Sequence, residues 1–176
     1  MLDSFRDTFR LPDLKRRILF TLAALFVYRL GAHVPTPGVD AAALGKLFDQ
    51  GSLLGFLDLF AGGALSRFSI FALGVTPYIN SSIVMQLLAV VVPSIEKMQK
   101  EGEEGRKKIV QWTRYGTIIF AFIQAVGMTG WLKGLGIYSG GMLDIILVSL
   151  TLTTGAVAVM WLGEIMSDHG IGNGIS

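Results

Sequence analysis

A proline at position 77 stands inside an apolar run that extends from Phe68 to Val92, and it limits how that run can be built. Proline has no backbone N–H and fits an α-helix best in its first turn, so Thr76 as N-cap followed by Pro77 reads as a helix start. From Pro77 to Val92, before Pro93 intervenes, a helix reaches about 24 Å, against about 30 Å of hydrocarbon to cross. Such a helix begins partway into a bilayer. The non-helical backbone ahead of it must then be covered by protein or border water, because lipid offers its N–H and C=O groups nothing. A pathway through the membrane meets that condition. So does a Pro-kinked helix that only packs, since Pro and Gly are frequent in membrane helices.

The whole chain has a membrane protein's composition, with 52% hydrophobic residues and a mean hydropathy of +0.58. Its cations are gathered in two places. Arg6, Arg10, Lys15, Arg16 and Arg17 precede the first apolar run, and Lys97, Lys100, Arg106, Lys107 and Lys108 lie between the second and third. Only Lys46, Arg67 and Lys133 fall in the other connections. This asymmetry puts the N-terminus and the 94–108 connection in the cytoplasm. The basic pI is thus explained by topology rather than by a nucleic-acid-binding stripe. There is no cysteine, hence no disulfide framework and no thiolate metal site. Basic residues followed by an apolar run resemble a secretory signal, but no small-residue cleavage site follows, and the run reads as a retained span.

In chain order, residues 1–17 form a cytoplasmic amphipathic N-terminus, with Leu2, Phe5 and Phe9 opposite Arg6, Asp7 and Arg10. Residues 18–34 form span one, ended by Pro35 and Pro37, with Arg29 near enough to the outer interface to snorkel. An external connection, 35–51, precedes a 52–67 stretch that Asp58, Gly62, Gly63 and Arg67 interrupt, too short to cross and of the re-entrant class. Residues 68–93 hold the half-depth helix, 94–108 a solvated cytoplasmic loop, 109–131 span three and 132–141 an external turn. Span four occupies 142–165, and 166–176 is a cytoplasmic Gly-rich turn leading into a further helix, as in a fragment of a longer protein.

No catalytic constellation is present. There is no paired-His zinc spacing, no nucleophile elbow and no phosphate loop, and GIGNG lacks the glycine spacing of a dinucleotide fingerprint. His33 stands alone, and Asp168 with His169 reads as an exposed cytoplasmic turn. What remains is a lining. Val75, Ile79 and Ile83 share one face at spacing four, while Asn80, Ser81, Ser82 and Gln86 on adjoining faces need polar partners. Asn80 and Gln124, the one strongly polar residue deep in span three, are candidates to bridge the two spans.

Three long segments, GGALSRFSIFALGVTPYINSSIVMQLL, KEGEEGRKKIVQWTRYG and MWLGEIMSDHGIGNGIS, resemble the bacterial SecY protein-translocation channel family, collinearly and over nearly the whole chain. The resemblance implies an all-α polytopic membrane fold, the N-terminal half of a ten-helix channel: four transmembrane helices, one re-entrant plug helix and the start of a fifth. It implies a hydrophobic pore ring that includes Val75, Ile79 and Ile175, with Val75 standing where the family usually has Ile. It implies a plug carrying Leu53, Leu54, Phe56, Leu57, Leu59, Phe60, Gly62, Gly63 and Leu65, and polar lateral-gate positions at Asn80 and Gln124. Thr76 and Asn80 depart from the family's common choices.

The function so implied is passage of unfolded polypeptides across the cytoplasmic membrane and sideways release of apolar segments into lipid, without catalysis or cofactor. The implied partners are SecE and SecG in the membrane, SecA or the ribosome on the cytoplasmic side, signal sequences, the moving chain and lipid. A ring of aliphatic side chains suits this task, since it seals by dewetting and offers a passing chain no charge to bind. Two other readings compete. A secondary transporter would place a broken-helix substrate site at Pro77, but it usually needs an ionisable residue at mid-depth, and neither 68–92 nor the middle of 109–130 supplies one. An intramembrane protease would need facing catalytic residues at depth, and Asp58 and Asp144 both lie toward the outer side.

Overall fold

Residues 103–134 and 142–169 form the two helices that are by themselves long and apolar enough to cross a membrane, among the residues described. The computed structural model describes residues 12–49, 56 and 63–175. Its helices are α1 (Pro12–Gly31), α2 (Ala41–Asp49), α3 (Thr76–Val91), α4 (Pro93–Lys100), α5 (Glu103–Gly134) and α6 (Met142–His169). Extended pairing among the described residues is confined to two isolated bridges, Pro35 with Ser69 and Val39 with Tyr138. Helix α5 is central: α3 and α4 pack on it, α6 packs along it, and α1 lies against α6. The end carrying Lys15–Arg17 and Arg106–Lys108 is called the basic end below, and the opposite end the loop end. The amphipathic segment expected over residues 1–11 lies outside the described residues.

The packing face of α5 is a ladder of small residues four apart, Thr113, Thr117, Ala121, Ala125 and Thr129, all buried. That spacing puts them on one stripe, and their size lets neighbouring backbones come close. The threonine hydroxyls are satisfied within the helix: Thr113 donates to the Ile109 carbonyl at 2.9 Å, Thr117 to Thr113 at 2.7 Å and Thr129 to Ala125 at 2.8 Å. A polar side chain that bonds its own preceding turn is compatible with an apolar interface. Facing this stripe, α3 buries Pro77, Ser81, Met85 and Ala89, again at spacing four. The core lies toward the loop end, where Ala121 and Ala125 of α5 meet Val148, Leu152 and Ala156 of α6, together with Leu44, Phe68, Ala72, Leu73 and Tyr138. Burial, and next the Asp144 carboxylate, push the Tyr138 phenol above the usual tyrosine range.

Three segments differ from the sequence expectation. Residues 94–108 are not a loop: α4 and the start of α5 occupy them, with only Glu101 and Gly102 between. Pro93, expected as a stop, opens a new helix. Its ring excludes the preceding residue from helical geometry, so Val92 is extended at φ −104° and ψ 109°, and α3 and α4 meet at 102°. Helix α4 buries none of its residues, so the segment is solvated although helical. Second, α1 is already helical at Pro12, the first described residue, and its regular turns end at Gly31, rather than running from 18 to 34. A Cβ at Gly31 would lie 2.0 Å from the Phe71 ring, so the helix closes onto that ring where it ends. Third, Asp168 and His169 belong to the last turn of α6, and the glycine turn starts only at Gly170.

Candidate functional site at the interrupted crossing

Between Gly63 and Val75 the backbone is a succession of turns, and the residues along it are among the most buried in the molecule. Phe68 and Ser69 are fully inaccessible, and Phe71, Ala72 and Leu73 are buried. Phe68 takes a left-handed φ of +45°, unusual for an aromatic residue, and Gly74 a φ of +54°. The backbone's hydrogen-bonding groups are met locally. Ile70 donates to the Val34 carbonyl at 3.0 Å, Thr36 to Phe68 at 2.9 Å, Ser69 to Ala64 at 2.9 Å and Gly74 to Phe71 at 2.8 Å. The Phe71 N–H donates to Ser69 Oγ at 3.2 Å. Irregular backbone at membrane depth is tolerated when protein satisfies it in this way. Helix α6 can approach because it has no side chain at 155, where a Cβ would come within 1.8 Å of the Ile70 carbonyl oxygen. On the other side Tyr28 of α1 stacks on Phe71, with centroids 5.7 Å apart and planes 13° from parallel.

Helix α3 thus starts inside the apolar run, one residue earlier than expected. Val75, not Thr76, is the N-cap, because its carbonyl already accepts the Ile79 N–H at 3.1 Å. Pro77 remains in the first turn, where its missing donor costs nothing.

Two hollows flank Val75. One, of about 370 Å³, is walled by Leu25 and Tyr28 of α1, by Leu162 and Met166 of α6, and by Ile175. The other, of about 610 Å³, includes Tyr28, Leu65, Leu73, Gln124 and Met128. Val75 and Tyr28 belong to both, so they form the partition between them. No charged side chain lines either hollow, among the described residues.

Ile175 reaches this place because the terminal turn folds back on α6. Ser167 Oγ donates to the Gly163 carbonyl at 3.0 Å and accepts the Gly174 N–H at 2.9 Å. A Cβ on Gly174 would lie 2.3 Å from the Gly163 oxygen, so glycine is required by the approach. Ile79, by contrast, is 43% exposed and lines neither hollow. Of the residues expected in a plug, Phe56 is helical and exposed, Gly63 has a φ of +81°, and Leu65 packs against the core beside Val75. Leu53, Leu54, Leu57, Leu59, Phe60 and Gly62 lie outside the described residues.

Asn80 and Gln124 are not bridged by a hydrogen bond. Gln124 faces the hollow beside Val75, whereas Asn80 lines neither hollow. The polar link between α3 and α5 is made one residue along, by Ser81, whose Oγ donates to the Thr113 carbonyl at 2.7 Å with Gly116 open beside it. The reason is rotational: Ser81 shares the Pro77–Met85–Ala89 stripe that faces α5, and Asn80 is about 100° away from it.

Sequence reading also passed over an ion pair. Arg114 of α5 grips Glu164 of α6 through Nε at 2.9 Å and Nη2 at 2.8 Å, a forked contact whose members line neither hollow. The two residues are fifty positions apart and no periodic pattern couples them.

Comparison with known proteins follows the same lines. The SecY family model matches residues 69–176. The chain is 43% identical to the protein translocase subunit SecY of Streptomyces griseus over 190 residues, covering all of this chain and 44% of that protein. It is 47% identical to the protein translocase subunit SecY of Escherichia coli K12 over 173 residues, covering 94% of this chain and 39% of the relative. The chain therefore spans about two fifths of the curated relatives it matches. Among solved structures it resembles a SecY channel described for its plug domain, which is said to stabilise the closed state and maintain a membrane seal, at a TM-score of 0.64 and 25% identity over 93% of this chain and 34% of that one. It shares the fold of Sec61 in the canine ribosome-channel complex, at a TM-score of 0.65 and 22% identity over 92% of this chain and 34% of that one. An interrupted second crossing, a family match over most of the chain and likeness to the bacterial relatives along nearly all of this chain agree: the chain belongs to the SecY family.

Proposed function

We propose that this chain is part of a protein-conducting channel, passing unfolded polypeptides across the bacterial cytoplasmic membrane and releasing apolar segments sideways into lipid. The observation that carries the reading is the uncharged partition at Val75, with hollows on both sides and Ile175 folded back against one of them. Largely apolar walls without fixed charge let a chain of any sequence pass and close behind it by dewetting. Among the described residues no acidic or basic side chain lines these hollows, which gives the secondary-transporter reading no support.

In this reading Val75, Ile79 and Ile175 contribute to the pore ring. Ile79 joins the ring through its exposed face. Residues 52–67 act as the plug, and Asn80 and Gln124 lie near the lateral gate. The basic end faces the cytoplasm, following the lysine and arginine asymmetry. The apolar part of α1 then forms span one, with SecE and SecG as membrane partners and SecA or the ribosome supplying the driving force.

The test uses the chain's lack of cysteine. A Val75→Cys variant of the full channel complex is challenged with a secretory chain stalled midway and carrying one cysteine. A disulfide that forms only with the stalled substrate is the expected result. No crosslink in a complex that still translocates overturns the pore assignment.

A further inference from the structure

We propose that the crevice between the first turns of α1 and the last turn of α6 binds the headgroup of a phospholipid that is zwitterionic and carries a primary ammonium group, the phosphatidylethanolamine class. Asp13, Arg16, Arg17 and Phe20 fall at spacings of three, four and seven, on one face of α1. Across from them stand Asp168 and His169, and the space between measures about 640 Å³.

The walls are fixed to one another. Arg17 Nη1 donates to the Gly170 carbonyl at 3.1 Å, the Ile171 N–H donates to Thr21 Oγ1 at 3.2 Å, and the Phe20 and His169 rings lie 5.8 Å apart. The crevice is therefore a feature of two tied helix ends rather than of one mobile side chain.

Its charge selects the occupant. Asp13, Arg16, Arg17 and Asp168 are in no salt bridge among the described residues, although both signs line one hollow. Two carboxylates oppose a simple anion and two guanidiniums a simple cation; a zwitterion satisfies both. The guanidiniums suit a phosphate, which they can engage with paired N–H donors. The carboxylates suit an ammonium that still has protons to donate. A trimethylammonium has none and would depend on an aromatic cage, for which Phe20 is the only phenyl ring among the described lining residues.

The position selects a lipid over a soluble zwitterion. Arg16 and Arg17 immediately precede the apolar part of α1, the level at which headgroups lie. On the flank of the same helix Leu19, Leu22 and Phe26 are 67%, 58% and 64% exposed, a surface for acyl chains running down from Arg16. The inference rests on reading α1 as a membrane helix, but not on conduction.

The experiment places the full chain, in its complex, in nanodiscs containing equal traces of tail-photoreactive phosphatidylethanolamine, phosphatidylcholine and phosphatidylglycerol. Crosslinks to residues 12–26 are then mapped by mass spectrometry. The ethanolamine lipid should label this segment about fivefold more than either other lipid, the ratio for a preference near 1 kcal/mol. The double change Asp13→Asn and Asp168→Asn should transfer the preference to phosphatidylglycerol, while Lys107→Gln, outside the crevice, should leave it unchanged. Arg16→Gln should lower labelling by the ethanolamine lipid while leaving labelling by phosphatidylcholine as it was, which shows that the variant is folded. Free phosphoethanolamine in solution should not compete. Equal labelling by all three lipids, or a phosphatidylglycerol preference already in the unaltered chain, overturns the proposal. Full competition by the soluble headgroup overturns its lipid part, and no labelling by any lipid removes α1 from the bilayer and the proposal with it. A failed stalled-chain crosslink beside a retained ethanolamine preference would refute the pore and leave this site standing.

Discussion

The stretch from Gly63 to Val91 and helix α5 are both apolar, yet one is broken into turns and a short helix while the other runs unbroken for 32 residues. The difference does not lie in hydrophobicity. It lies in where each stretch meets its neighbours' backbones. Helix α5 presents small residues every fourth position and satisfies its own hydroxyls, so it needs no help from outside. The interrupted crossing meets part of its polar backbone within its own turns and at the Ser69 hydroxyl, hands the rest to Val34 and Thr36, and depends on glycines in other helices to admit it. A continuous rod is self-sufficient, whereas a broken crossing exists only as part of an assembly of segments.

The comparison is broken most severely at Gly155. Gly155→Leu has no room against the Ile70 carbonyl and should abolish folding, and Gly155→Ala should cost about 3 kcal/mol or more. Gly127→Ala, in α5 with nothing within 4 Å, should stay within about 1 kcal/mol of the parent. Thermal unfolding in detergent compares the two, and equal effects would mean that the turns do not need α6. Next comes Phe71→Ala, which empties a buried ring site stacked on Tyr28 and should cost about 3 kcal/mol in the same assay. Smaller still is Ser81→Ala, expected to lose about 1 kcal/mol of α3–α5 association, while Asn80→Ala changes almost nothing. A larger effect at Asn80 would return the bridging role to it.

Much of this contrast was legible in the sequence. Pro77 behind Gly74 marks a helix starting within the apolar run, and the structure moves that start by a single residue because the Val75 carbonyl already accepts a helical bond. Pro93 was legible as an interruption but not as the opening of α4, since a proline excludes the residue before it from the helix whether or not another helix follows. For the bridge between α3 and α5 the sequence offers Asn80 with Gln124 as candidates, on their polarity alone. Side-chain polarity does not say which face a helix turns toward its neighbour, and Ser81 has the right rotation. The α5 ladder was overlooked because threonines look polar until their hydroxyls are seen to bond the preceding turn. Arg114 with Glu164 depends on a contact between distant segments, which no local pattern encodes, and Val75 and Ile175, which line one hollow, are joined at the level of sequence only by the family resemblance.

The central claim, that the interrupted crossing borders water while the α5 ladder does not, is tested most directly by single cysteines at Val75 and Ala121 in the otherwise cysteine-free chain. Both variants, in the assembled complex, are exposed to a small membrane-impermeant maleimide while a stalled polypeptide holds the channel open, and the labelled fraction is read by mass shift. The account predicts rapid labelling at position 75 and none at position 121; protection of both positions, or equal labelling of both, would contradict it.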